Sequence, residues 1–191
     1  MNPVRFGRLE AVAKTRVVFL CIGNACRSPM AEGFARAHGS DVLDVQSAGL
    51  APALAVVPLT HHVMLEKNID LGDCYPKEMQ HVDGDIDLII NMSGHGLPEP
   101  TAAEVEVWQI RDPIGESEEV FRQVRDEIEQ RVLDLIERLR SGKPVASAEV
   151  SAAARADGTK LATGRLTPGG GLLDNKSVPP IKRMWRNWQT R

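Results

Sequence analysis

The apolar run Val17-Val18-Phe19-Leu20 ends abruptly in Cys21-Ile22-Gly23-Asn24-Ala25-Cys26-Arg27-Ser28-Pro29. A short apolar run followed at once by Gly-Asn and then Ser-Pro reads as a buried strand, a tight loop and the start of a helix. No other stretch constrains the fold as much. Gly23 and Asn24 tolerate the left-handed backbone that turns successive N–H groups to one side. Ser28 suits a helix cap and Pro29 the first helical position. The helix then points its free N–H groups and the positive end of its dipole back at the loop, a combination that favours an anion.

The rest of the chain alternates strand-like and helix-like segments, which predicts an α/β fold with a parallel sheet. Strands are expected at Arg16–Leu20, Asp44–Ser47, Asp87–Met92 and Val105–Ile110, with the phosphate-binding loop after the first. Helices are expected at Pro29–His38, closed by Gly39, and at Leu59–Lys67. A last helix carries Phe121, Val124, Ile128, Val132, Leu135 and Leu139 at helical spacing, with Glu118 and Glu119 at its start. Residues 1–15 read as an N-terminal extension, 16–140 as the catalytic domain and 141–191 as a disordered basic tail. That tail holds nine Lys or Arg against three Asp or Glu, a net +6, which leaves −9 for residues 1–140. Its glycines at 169–171 and its prolines break any long element.

Composition narrows the function. A net charge of −3 over 191 residues gives no support to nucleic-acid binding. No apolar run is long enough to span a bilayer, and the first fifteen residues carry Arg5, Arg8, Glu10 and Lys14 without an apolar core. A cytoplasmic protein without a membrane partner is expected. Three cysteines, two of them in one loop, fit reactive thiols in a reducing compartment better than a disulfide framework. The five histidines show no metal-ligand spacing, so no metal site is expected. Asp83, Asp85 and Asp87 alternate like a cation loop but run directly into a strand without a closing Glu, and read as a solvated loop.

The loop itself is a cage for a tetrahedral oxyanion, formed by the backbone of Ile22, Gly23, Asn24, Ala25, Cys26, Arg27 and Ser28. Arg27 can hold two oxygens of such an anion at once. The same positive field favours the thiolate of Cys21, to which Ser28 Oγ can hydrogen-bond, making Cys21 the candidate nucleophile. Asp112 sits at a strand exit before Pro113 and is the candidate general acid for the leaving group. In an α/β sheet, strand exits gather at one edge. Cys26 is placed to form a reversible disulfide with Cys21 that protects it from over-oxidation; Cys74 reads as structural.

These residues resemble the low-molecular-weight protein-tyrosine phosphatase family. The likeness covers roughly residues 15–140: the loop Cys-x-Gly-Asn-x-Cys-Arg-Ser-Pro, Ser47-Ala48-Gly49, Asp-Leu-Ile-Ile-Asn-Met, and the late Asp-Pro before the last helix. The resemblance implies a four-stranded parallel sheet flanked by helices, with no metal and no organic cofactor. It implies Cys21 as nucleophile, Arg27 as transition-state binder and Asp112 as acid, with Asn24 hydrogen-bonded to Ser47 to hold the loop's strained turn. Three departures stand out. Ile114 and Gly115 follow Asp112-Pro113 where phosphotyrosine-specific members tend to carry aromatic residues, leaving Leu50 and Leu54 as candidates for an apolar wall. Ala25 replaces the Thr of phosphoarginine-hydrolysing members. Ser93-Gly94-His95-Gly96-Leu97-Pro98 contains none of the extra cysteines through which related arsenate reductases relay oxidation.

The expected function is therefore phosphomonoester hydrolysis through a cysteinyl-phosphate, on a phosphotyrosine protein or a small aryl phosphate. The alternatives are arsenate reduction and a catalytically silent phosphate-binding module, the latter disfavoured because binding alone needs neither thiolate nor acid.

Overall fold

A computed structural model describes residues 13–142 except Asp73. The expectations for the extreme N-terminus and for the basic tail from residue 143 lie outside the described residues. The elements run β1 (Thr15–Cys21), α1 (Arg27–Gly39), β2 (Leu43–Gly49), α2 (Pro58–Leu65), a 3-10 turn (Met79–His81), β3 (Leu88–Asn91), β4 (Glu104–Val107) and α3 (Glu118–Arg140). All four strands are parallel, in the spatial order β2-β1-β3-β4. The α/β fold with a four-stranded parallel sheet and flanking helices is the one expected. β1 is central: the chain leaves it towards β2 on one side and returns to β3 on the other. The order thus reverses at the end of β1, the position where open α/β sheets place their ligand crevice. Cys21 is the last residue of that strand.

Alternation along β1 divides the core. Val17, Phe19 and Cys21 join α1, α2 and α3 in the main apolar cluster, while Val18 and Leu20 point to the other face with Ala48 and Ile89. Phe121, Val124, Ile128, Val132 and Leu135 of α3 are all nearly inaccessible, as their spacing requires. The second face is covered by Leu50, Met79, Val82, Ile86, Leu97 and Ala103, none of which lies in an α-helix.

Several boundaries differ from expectation for identifiable reasons. α1 begins at Arg27, not Pro29, and its cap position, Cys26, makes no side-chain cap bond; the Ser28 hydroxyl is engaged elsewhere. Gly39 ends α1 by proximity, not by a left-handed turn. A Cβ there would meet Ile136 and Leu43 side chains at 2.8 Å, so glycine lets α1 approach α3 and β2. β2 is longer than Asp44–Ser47, pairing with β1 as far as Gly49. The fourth strand stops at Val107. Trp108 and Ile110 are buried, and Trp108 lies 6.0 Å from the Phe19 ring. Trp108 N still donates to the Asn91 carbonyl at 3.0 Å, and beyond it the apolar character of Ile110 reflects packing under the sheet and not strand pairing. No helix among the described residues is long and apolar enough to cross a membrane.

Candidate active site

The loop between β1 and α1 is shaped by what its carbonyls do. The carbonyl oxygens of Cys21, Ile22, Gly23 and Ala25 accept from the N–H groups of Leu50, Ala51, Ala53 and Val57, at 2.8–3.0 Å. The segment after β2 thus zips along the loop and draws its carbonyls outward. Among the described residues, no backbone N–H from Ile22 to Ser28 donates to a protein acceptor. Buried N–H groups of this kind are seldom left unpaired, and an oxyanion is their natural partner. Asn24 alone in the loop takes a left-handed backbone, with φ 48°; Gly23 does not use that freedom.

Asn24 is fully buried, and both polar atoms of its side chain have partners. Its Nδ2 donates to Ser28 Oγ at 2.9 Å and to Ser47 Oγ at 2.8 Å, and its Oδ1 accepts from Lys77 N at 2.9 Å. The Asn24–Ser47 bond is the one the resemblance implied. Ser28 Oγ then lies 3.0 Å from Cys21 Sγ and 3.3 Å from the Ala48 carbonyl. Having accepted from Asn24, the hydroxyl has one proton to give, and given to sulfur it stabilises a thiolate.

Beyond Ser47 the network reaches Glu32, which sequence reasoning missed. This carboxylate is 1% exposed, accepts from the Ser47 hydroxyl and pairs with Arg36. The available signal was position: Glu32 interrupts an otherwise apolar Met30–Ala35 stretch of a helix that has no free face there. Gly49 was likewise more than a motif residue. A Cβ on it would come within 2.8 Å of the Ile22 carbonyl oxygen and 2.9 Å of Asn24 N, so only glycine lets β2 lie against the loop.

Arg27 is 4% exposed. Its Nη1 donates to the Met92 carbonyl at 2.7 Å and the Ile110 carbonyl at 3.3 Å, and its Nη2 donates to Asp112 Oδ2 at 2.5 Å. Its Nε is buried without a partner in the structure. Asp112 Oδ1 accepts from Ile114 N at 3.2 Å, within a turn completed by Glu116 N to the Pro113 carbonyl and by Gly115 at φ 80°. The candidate nucleophile, anion binder and acid are therefore gathered at one sheet edge.

The remaining thiols differ from Cys21 in setting. Burial pushes the Cys26 thiol up to about 12, against a hydrogen bond with Thr60 that acts to lower it. Burial and then the nearby Glu32 charge push Cys74 up as well. Of the candidate wall residues, Leu50 packs against the second apolar cluster, whereas Leu54 is 90% exposed. Ile114 leans on the main core.

Comparison with known proteins agrees with this geometry. The family model for the low molecular weight phosphotyrosine protein phosphatase matches residues 16–145. The glutaredoxin arsenate reductase of Synechocystis sp. is 38% identical over 129 residues, covering 65% of this chain and 98% of that protein. An arsenate reductase of Shouchella clausii is 35% identical over 133 residues, covering 63% and 94%. Among solved structures, an arsenate reductase in the phosphate-binding state superposes with a TM-score of 0.61 at 36% identity, over 65% of this chain and 98% of that one. A low molecular weight protein tyrosine phosphatase from T. tengcongensis does so with a TM-score of 0.59 at 28% identity, over 66% and 100%. On fold, loop and sequence together, this chain belongs to the low molecular weight phosphotyrosine protein phosphatase family.

Proposed function

We propose that the protein hydrolyses phosphomonoesters, aryl phosphates or phosphotyrosine, through a covalent intermediate on Cys21. The observation that carries the reading is the Asp112 carboxylate resting on the Arg27 guanidinium beside the loop. In the first step Cys21 Sγ attacks phosphorus, the bond from phosphorus to the leaving oxygen breaks, and Asp112 gives that oxygen a proton. The loop N–H groups and Arg27 hold the equatorial oxygens. In the second step water attacks the cysteinyl-phosphate, Asp112 takes a proton back, and the sulfur leaves as thiolate.

A second reading is favoured by the comparisons: the curated relatives described above are named arsenate reductases. There Cys21 Sγ would bond to arsenic as one arsenate oxygen leaves as water, and a second thiol would attack Cys21 Sγ. Arsenic would leave as arsenite, and Cys21 would remain in a disulfide that a further thiol reduces. Two thiols are oxidised for each arsenate reduced. In this chain Cys26 is buried and protonated, Cys74 lies beside Glu32, and Ser93–Pro98 contains no cysteine. The second thiol would have to come from another molecule. The relatives' names weigh towards reduction; the chain's own cysteines and Asp112 weigh towards hydrolysis.

The deciding experiment runs p-nitrophenyl phosphate hydrolysis and arsenite formation, with added glutathione or reduced thioredoxin, on one preparation. Hydrolysis abolished in Cys21→Ser and slowed about 10²–10⁴-fold in Asp112→Ala supports the first reading. Arsenite formation without hydrolysis replaces it with the second.

A further inference from the structure

The two lateral sides of the sheet are finished differently. On the outer side of β2, Gly49 N donates to the Lys77 carbonyl at 2.8 Å, and the Gln46 side chain bonds both the carbonyl and the N–H of Asp83. The segment from Lys77 to Asp83 thus covers that side. On the other side the sheet ends at β4. Glu104 N and Trp108 N donate inward, to the carbonyls of Asp87 and Asn91 on the β3 side. Backbone groups alternate in direction along a strand, so those of Val105 and Val107 face outward. Among the described residues nothing bonds them. The side chains alternate as well. Glu106 turns to α3, where it accepts from Arg138 at 3.0 Å. Val105 stands in register with the buried Ile89 on the face that no α-helix covers. Val105 and Val107 are 40% and 50% exposed. An open strand of this kind is a template for another strand.

Charge says which strand fits. Residues 83–110 carry six Asp or Glu and no Lys or Arg. Glu104 is exposed and pairs with no cation among the described residues. The α3 arginines that reach this side, Arg131 and Arg138, are already paired with Glu127 and Glu106. A second copy of β4 laid antiparallel would set these strand glutamates against one another, and like charges directly opposite are destabilising.

We propose that the outer side of β4 is a docking site for an extended, basic segment of a partner protein, which adds to the sheet as a fifth strand. Its main chain bonds the free groups of Val105 and Val107. Its apolar side chains flank the two valines on the open face, and its Lys or Arg side chains lie beside Glu104 and Glu106. The strands are parallel, so the Val107 end of β4 lies at the same end of the sheet as Cys21. Two strand spacings, about 10 Å, separate β4 from β1, and a partner docked there is held close to the candidate active site. The proposal stands on the open backbone and the charge pattern, whichever reaction Cys21 performs.

The test is an NMR titration of the isotope-labelled full chain with the acetylated, amidated peptide Lys-Val-Lys-Val-Lys-Val-Lys. Shifts should centre on the amides of Val105 and Val107, and hydrogen exchange of those two amides should slow about tenfold at saturation. Two controls separate strand pairing from charge attraction alone. The same peptide N-methylated along its main chain keeps its charges but cannot pair, and should not bind. Glu104→Lys, an exposed change that leaves p-nitrophenyl phosphate hydrolysis as it was, should weaken binding about five- to tenfold. Equal binding by the N-methylated peptide, shifts centred elsewhere on the acidic surface, or no binding at all overturns the proposal. So does protection of Val105 and Val107 without peptide in a chain that sediments as a dimer, which would give this side of the sheet to a second copy.

Discussion

Two thiols five residues apart are given opposite characters by their neighbours. Cys21 Sγ meets the Ser28 hydroxyl at 3.0 Å at the mouth of a loop rich in free N–H groups, whereas the Cys26 thiol is buried and held up to about 12. Iodoacetamide at pH 7 should therefore alkylate Cys21 well before Cys26 or Cys74, with tungstate protecting it; peptide mass spectrometry reads the order, and first attack at Cys26 would contradict the geometry. The same contrast bears on the proposed protective disulfide. After mild peroxide, Cys26 must attack the oxidised Cys21 sulfur as a thiolate, and burial opposes that form. Disulfide formation should accelerate about tenfold per pH unit between pH 7 and 9, and Cys26→Ala should lose thiol-reversible recovery altogether. A pH-independent rate would mean that Cys26 is not the limiting partner.

At the scale of elements, the site depends on how closely β2 and its following segment approach the loop. Gly49→Ala puts a methyl group within 3 Å of main-chain atoms that cannot move aside without dismantling the cage. It should cost about 1–3 kcal/mol of stability and weaken phosphate binding by more than tenfold. Gly39→Ala meets only side-chain atoms of Ile136 and Leu43, and should lose stability while keeping anion affinity. Titration calorimetry and denaturant melts on the pair separate the two roles. This is also where the sequence was most and least legible. The β1–loop–α1 unit could be read because its signals are local: apolar run, Gly-Asn, Ser-Pro. Ser28 was readable as a cap, yet its hydroxyl serves Cys21 and Asn24, since the helix starts two residues earlier than the cap logic places it. Ile110 looked like strand because burial beneath a sheet and pairing within one leave the same apolar mark. The Glu32–Ser47 bond and Arg27's carbonyl partners were invisible, being contacts across 15 to 83 residues that no local spacing encodes.

The helices are also held together by a charge cluster with a distinct pH signature. Glu66 on the C-terminal flank of α2 accepts from Arg122 at 2.7 and 3.0 Å and from Arg125 at 2.6 Å, and these guanidinia hold its carboxyl down at about 2. A carboxylate lowered on folding stabilises the native state above its unfolded value, and that contribution fades as pH falls towards the folded one. Thermal melts of wild type and Glu66→Gln should therefore differ most near neutral pH and converge between about pH 4.5 and 2. A gap that widens in acid would reverse the assignment.

Across the whole molecule, Arg27 ties the start of α1 to the exits of β3 and β4, through Met92 and Ile110, and to the acid segment at Asp112. The anion binding proposed for Arg27 is thus linked to the packing of the sheet edge itself. Any ligand that binds only the folded state stabilises it by mass action, by about 2.7 kcal/mol at one hundred times its Kd. For a domain of this size that is a rise in Tm on the order of 10 °C. Phosphate, arsenate and tungstate should each give such a shift in the wild type, because the proposed cage would recognise tetrahedral charge before any chemistry occurs. Arg27→Ala should melt lower even without anion, having lost the bonds to three segments, and should show no shift with any of the three. Arg27→Lys separates the two functions. An ammonium can replace the charge but not the fork, so a partial anion shift on an equally lowered baseline is the expected result. A lysine variant that restores the baseline but not the shift would show instead that charge alone, and not the geometry of the carbonyl bonds, holds the strand exits together.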